Sequence, residues 1–319
     1  MSRTLMTRWF TPHGRTGRLR CLIVSATAAP PRPVPSYPAW LTLWGVSEGG
    51  PEAAGPDGAA AGGGDGAAGG GAAGRGDGTD SAAGGGVLSD TVRAQLSSVS
   101  TATLAGRLQR RGFRNAFLGG LVPLRPGRRM VGVAHTLRYV PERPDLAKLL
   151  GFNAQRVAVE SVRAGEVLVI EARGERHAGT IGDIFATRAR QLGCVGVVTD
   201  GSLRDTPAIA DLGLAVYHRA SHGATLGRLH TPLDHQVPIA CAGVTVLPGD
   251  VVVGDDEGAV VIAAALAAEV AAEAVATEQR EDFALERVRQ GASTEGYFPL
   301  SEQNEPEFER WLAQREGSA

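Results

Sequence analysis

Asp183 and the adjacent pair Arg204-Asp205 are the residues whose types and spacing could do chemistry. Twenty residues lie between Asp183 and Arg204, and each aspartate stands where a helix is expected to begin, in "TIGDIFATRARQL" and "DTPAIADL". An arginine can grip a carboxylate with two parallel hydrogen bonds. An aspartate beside it offers hard oxygen ligands, and Mg²⁺ often uses only one or two protein carboxylates and keeps several waters. Free backbone N–H groups at the first helix start, Gly182 to Phe185, favour an anion. These parts suit a small α-keto acid chelated to a divalent ion, which would withdraw electrons from the keto group and stabilise an enolate. The competing reading is a helix-capping aspartate worth ~1 kcal/mol and a surface arginine. From this spacing alone the competing reading is the commoner one.

The surrounding elements must bring the two helix starts together. "CVGVVTD" reads as a buried strand that turns at Asp200-Gly201 into the Arg204-Asp205 pair. The helix and strand between the aspartates form a return, so both helix starts open on one sheet edge, where α/β proteins usually build sites. Upstream, Asp90 is the expected cap of a helix through Ser98, and Ser100 of a second, "TATLAGRLQRR", closed by Gly112. "RRMVGVAHTLRYV", "EVLVIEA" and "LAVY" read as strands. "VPIACAGVTVLPGDVVVGDDEGAVVIAA" reads as short strands parted by Pro-Gly and Asp-Glu-Gly turns. A long helix with an apolar stripe then runs to about Gly291.

The expected fold is a single mixed α/β domain of roughly 200 residues. It is not a dinucleotide-binding fold, because no GxGxxG turns a strand into a helix. The domain is placed at residues 89–291, followed by a polar C-terminal tail at 292–319. Residues 1–88 are Pro-rich and then Gly/Ala-rich; such a tract buries too little apolar surface to offset its ordering entropy, and is expected to be disordered.

A net charge of −2 gives no support for a nucleic-acid partner. Lys148 is the one lysine, so Schiff-base chemistry has a single candidate. Cys21, Cys194 and Cys241 make no CxxC pair, which fits a reduced, cytoplasmic protein; Cys194 and Cys241 read as core residues. No apolar stretch approaches the ~18 residues of a membrane span. His218 and His222 have HxxxH spacing, with His230 and His235 nearby, but in a Ser/Gly-rich loop. They read as surface histidines or as contributors to substrate binding rather than zinc ligands. "GDDEG", residues 254 to 258, reads as a hairpin turn, too short for a calcium loop.

The Asp-x20-Arg-Asp set resembles that of the 4-hydroxy-4-methyl-2-oxoglutarate aldolases and the related regulators of ribonuclease activity, the RraA-like family. "STATLAGRL", "PLRPGRRMVGVAHTLRYV", "DGSLRD" and "PIACAGVTVLPGDVVVGDDEGAVVI" resemble further family segments, across roughly residues 95 to 290. The resemblance implies a β/β/α swivelling-type domain, assembled as a homotrimer or a dimer of trimers, with the active site between subunits. It implies that Arg204 binds the pyruvyl carboxylate, helped by the amides of Gly182, Asp183, Ile184 and Phe185. Asp205 would bind Mg²⁺ or Mn²⁺ directly, and Asp183 would orient metal-bound waters. An acid from a neighbouring subunit's long helix, Glu278 or Glu281, would assist. The implied reaction is retro-aldol cleavage of a 4-hydroxy-2-oxo acid to pyruvate, or decarboxylation of oxaloacetate, through a metal-bound enolate. Two departures stand out. Gly106 replaces an aspartate often found in the family helix, and Phe185 is larger than usual at a position that can line the pocket.

The rival reading is a non-catalytic regulator that binds a ribonuclease or another protein. Regulators of this kind tend to lack the full set that this chain keeps. A methyltransferase reading fails for want of a Gly-rich strand-to-helix loop in the folded part.

Overall fold

The computed structural model describes residues 88–317. The disordered segment expected at 1–88, and Cys21 with it, lies outside the described residues save for Leu88. In chain order the elements are α1 (Asp90–Ser98), α2 (Thr101–Arg110), β1 (Val122–Pro123), β2 (Met130–Pro141), α3 (Pro144–Leu150), α4 (Asn153–Ser161) and β3 (Glu166–Glu171). Then come β4 (Gly179–Ile181), α5 (Asp183–Gln191), β5 (Gly196–Thr199), β6 (Ser202–Leu203), α6 (Thr206–Asp211), β7 (Ala215–His218) and β8 (Ala220–Ser221). The last are β9 (His230–His235), β10 (Ile239–Cys241), β11 (Val244–Val246), β12 (Val251–Gly254), β13 (Ala259–Ile262), α7 (Ala267–Arg289) and α8 (Glu305–Glu316).

One sheet of eight strands runs β1-β7-β5-β3-β2-β12-β13, with β9 also on β2. Its centre, β2-β3-β5-β7, is parallel and its flanks are antiparallel. The central strands are apolar on both faces, as a sheet covered on both sides requires. On one face Leu168, Ile170 and Val197 pack with Ala186, Ala189 and Ile209 of α5 and α6. On the other Val167, Val169 and Val198 meet Cys241, Val244 and Val246 of the β10-β11 hairpin. A third cluster seats α1, α2 and α7 on β12-β13 through Leu96, Leu104, Val253, Val260 and Val270. The molecule is the mixed α/β domain expected from the sequence pattern, of the β/β/α swivelling type that the family resemblance implied.

Several boundaries differ from expectation. Ser89, not Asp90, caps α1: its Oγ accepts the Val92 N–H at 3.3 Å, and Asp90 is already helical. The helix read from Thr180 begins at Asp183, because Gly179–Ile181 pairs in parallel with β6. Helices α3 and α4 were unanticipated; the signals for α3 were Pro144 at its start and Asp145 in its first turn. The expected C-terminal tail instead carries α8. There Phe308 and Trp311 close over the buried Phe283 of α7, with ring centroids 5.6 Å from it. The aromatic spacing of "FERWL" was the missed signal. Ser100 caps α2 as read, its Oγ accepting the Thr103 N–H at 3.1 Å.

Candidate functional site

The two helix starts meet as the return between them required. Strands β4, β6 and β8 form a small parallel sheet, and α5 and α6 begin just past its first two strands. Asp200 fixes the turn before β6. Its buried carboxylate accepts the N–H groups of Ala172 at 2.5 Å, Gly174 at 2.9 Å and Ala242 at 3.2 Å, tying three loops together. Arg204 then donates its backbone N–H to Ile181 O at 3.0 Å, which locks the second helix start to the first.

Arg204 and Asp205 do not pair with one another. Among the described residues neither takes part in an ion pair, and the Arg204 Nε is buried without a hydrogen-bond partner. A buried donor left open costs about 1–3 kcal/mol, so this atom points to an acceptor that the polypeptide does not supply. The arginine stem lies across Gly179, where a Cβ would stand 2.3 Å from Arg204 Cγ and 3.3 Å from Ala224 O. Only glycine leaves room for it.

Asp205 sits in the left-handed region, at φ 54° and ψ 36°, and makes no side-chain cap bond to α6. Aspartate tolerates this region better than most residues. A cap would have used the carboxylate locally; instead it turns back, and a Cβ on Gly182 would be 2.9 Å from Asp205 Oδ2. The exposed carboxylate thus lies at the start of α5, whose N–H groups have no side-chain cap from Gly182. Asp183 is half-buried, and its Oδ1 accepts the Ile184 N–H at 2.8 Å. One of the four amides expected for the anion is therefore already engaged. Ile184 is 79% exposed, and Phe185 packs inward against the α5–α6 core.

Asp205 borders a cleft of about 250 Å³ with Leu203, Thr206, Pro207, Ser221, His222 and Gly223. The donor chemistry fits a hard, largely hydrated divalent ion on Asp205, and Asp183 directly follows the Gly182 that this carboxylate faces. It does not fit a closed zinc cage: among the described residues no group of three or more His, Cys, Asp or Glu can hold a metal.

The other candidates separate. His222 Nδ1 accepts the Ala224 N–H, while His218 is buried in β7 with Nδ1 unpartnered, and burial lowers its pKa. His235 stacks on the buried His135, at 6.0 Å between centroids. His135 also lies between Glu166, at 3.0 Å, and Ser161, at 3.4 Å. This looks like a hydrolytic triad, but Ser161 Oγ donates to Val157 O at 2.7 Å, so its proton is committed to the helix.

Glu278 and Glu281 lie on α7, away from the Asp205 cleft in the same chain. Glu278 accepts the Ser100 N–H at 2.8 Å, at the start of α2. Burial alone would raise its carboxyl, but the Ser100 and Thr103 donors carry it below its ordinary value. Glu281 borders a second cleft, of about 210 Å³, with Thr103, Gly106, Arg107, Arg110 and Thr277. Burial and the Glu278 charge raise its pKa. Gly106, where the family often has aspartate, faces open space in that cleft. The "GDDEG" segment is the β12-β13 turn as read.

The fold is a curled mixed sheet in which an Arg-Asp pair at one helix start is locked to a second helix start. Residues 97–261 match the RraA-like family, Aldolase/RraA, and the chain belongs to it. Two relatives are named "Putative 4-hydroxy-4-methyl-2-oxoglutarate aldolase". That of Halalkalibacterium halodurans is 34% identical over 145 residues, 44% of this chain and 62% of the relative. That of Deinococcus radiodurans is 32% identical over 136 residues, 43% of this chain and 79% of the relative. The chain thus spans less than two thirds of the Halalkalibacterium protein. Among solved structures, Streptomyces coelicolor RraAS2 is described as an unusual member of the RNase ES inhibitor RraA protein family. It superposes with a TM-score of 0.57 at 34% identity, covering 61% of this chain and 96% of RraAS2. Among the described residues no helix is long and apolar enough to cross a membrane.

Proposed function

We propose that this protein is a divalent-metal-dependent carbon–carbon lyase that cleaves a 4-hydroxy-2-oxo acid to pyruvate, or decarboxylates oxaloacetate. The observation that carries the reading is the open Arg204 Nε beside an Asp205 carboxylate that neither caps its own helix nor pairs with the arginine. The names of the two relatives support it.

Arg204 binds the carboxylate next to the keto group and fixes the acid's orientation. Asp205 would hold Mg²⁺ or Mn²⁺, with Asp183 as the residue that would orient the ion's waters. When bound, the ion supplies electron withdrawal from the keto group. In the cleavage, the C4 hydroxyl gives its proton to a base and the C3–C4 bond breaks. The electron pair moves onto the 2-keto group as an enolate, and a proton returned to C3 gives pyruvate. With oxaloacetate the same electrons come from the bond to the departing CO₂. Glu281 of a neighbouring copy, with its raised pKa, suits proton transfer. Assembly as a homotrimer or a dimer of trimers is part of this reading, as is a cytoplasmic location.

The test is pyruvate formation from oxaloacetate with Mg²⁺ or Mn²⁺, with and without chelator, in wild type, Arg204→Ala and Asp205→Ala. Metal-dependent turnover abolished by both changes is expected. Turnover that survives chelation would overturn the mechanism. The likeness to RraAS2 favours a second reading, a regulator that binds a ribonuclease. Absence of turnover with several keto acids, together with inhibition of a purified ribonuclease, would establish that reading instead.

A further inference from the structure

The cleft beside Asp205 has a second wall, made by Ser221, His222 and Gly223, that the mechanism above leaves unused. Its loop is tied to the site: the His222 N–H donates to Leu203 O at 2.9 Å, one residue before Arg204. The ring is tied as well, because the Ala224 N–H donates to His222 Nδ1 at 3.0 Å. A nitrogen that accepts carries no proton, so the proton of the ring is on Nε2. The His177 ring meets the His222 ring edge-on, at 6.3 Å between centroids. His177 is held in turn by Glu175, whose Oε1 is 2.9 Å from His177 Nδ1. Half-buried and pinned through Nδ1, His222 has one polar atom left for the cleft, and that atom is a donor.

Leu203 and Pro207 give the cleft apolar character, and Asp205 is its one acidic residue. A donor set against such a wall suits an anionic acceptor at the far end of a short acid. We propose that His222 is a specificity residue. Its Nε2–H recognises the distal carboxylate of a dicarboxylic 4-hydroxy-2-oxo acid whose keto-acid end is held at Arg204 and Asp205. This rests on the lyase reading.

The test compares two substrates, 4-hydroxy-4-methyl-2-oxoglutarate and its counterpart with a methyl group in place of the distal carboxylate. His222→Asn keeps a short acceptor for the Ala224 N–H, as in an Asx-turn, and removes the reach into the cleft. His222→Gln restores a donor near the Nε2 position. In His222→Asn, kcat/KM for the diacid is expected to fall about tenfold or more through KM, the size of a lost hydrogen bond to a charged group. The methyl counterpart is expected to change by less than about twofold, and His222→Gln to recover part of the loss. Equal losses on both substrates, or no loss on either, with unchanged melting temperature, would overturn the role of His222. Failure of the wild type to turn over either substrate would overturn this proposal, and failure on oxaloacetate as well would overturn the lyase reading itself.

Discussion

The carboxylate of Asp205 reaches so close to Gly182 that a methyl group on Gly182 would lie 2.9 Å from Oδ2. Gly182 has φ −113° and ψ −177°, extended backbone that alanine adopts freely. Gly182→Ala therefore carries no conformational strain, and only the mobile end of a side chain must give way. The expected outcome is a melting temperature within a few degrees of wild type and about a tenfold or greater loss of Mn²⁺ affinity, the range seen when a ligand's support is removed. A thermal melt and a Mn²⁺ titration check the two statements, and unchanged affinity would show that the carboxylate position does not matter.

Asp205 also occupies left-handed backbone, so its removal mixes two effects. Asp205→Asn separates them, because asparagine tolerates the same region. Stability is expected to hold within about 0.5 kcal/mol, as for a surface change. Turnover is expected to fall at least a hundredfold, the scale on which preorganised electrostatic groups act. Calorimetry with steady-state kinetics on the same sample reads both. A matching fall in stability would make Asp205 a structural residue.

Much of this was legible because it is local. Alternating β and α segments, glycine-punctuated turns and the Ser100 cap are written within short windows, and the meeting of the two helix starts follows from the helix-and-strand return between them. What was not legible depends on distant partners. No pattern near Asp205 shows that its carboxylate leaves its own helix for Gly182. Phe185 turned inward because α5 needs an apolar face against the sheet, a choice set by β3 and β5 rather than by its neighbours. The terminal helix α8 was missed because a polar average hid Phe308 and Trp311, whose value lies in Phe283, some 25 residues upstream of each.

His230 predicts acid sensitivity. It is 1% exposed, with its Nε2 unpartnered, and its ring is 5.6 Å from that of Tyr139. Burial first, then the Arg173 charge, push its pKa down to about 4. The folded protein keeps the ring neutral while the unfolded chain takes up a proton near pH 6.5. The unfolded state thus binds more protons between these values, so stability is full above about pH 6.5 and falls as the pH drops toward 4. The loss ascribed to this ring is up to about 3 kcal/mol. His230→Phe is expected to flatten the decline in melting temperature between pH 7 and 4.5, and parallel curves for the two proteins would refute the assignment.

Asp255 makes the opposite case. It belongs to the β12-β13 turn, yet its carboxylate reaches α2, accepting the Thr101 N–H at 2.8 Å and the Thr101 hydroxyl at 2.7 Å. It also takes the Glu257 N–H at 3.0 Å within the turn. Burial by itself would raise its pKa, but these donors and Arg129 carry it below the ordinary value. With the folded pKa lowered, its contribution is present above the unfolded value of about 3.9 and is lost as the pH falls through the folded one. Asp255→Ala leaves the buried Thr101 donors open and is expected to cost about 2–4 kcal/mol. In a domain of this size that lowers the melting temperature by roughly 5–15 °C. Asp255→Asn keeps an acceptor for one of the two Thr101 donors, so an intermediate loss is expected. Measured at pH 7, the order wild type, Asp255→Asn, Asp255→Ala checks the clamp. Equal stability of all three would mean that water satisfies Thr101 and that α2 is held by its apolar face alone.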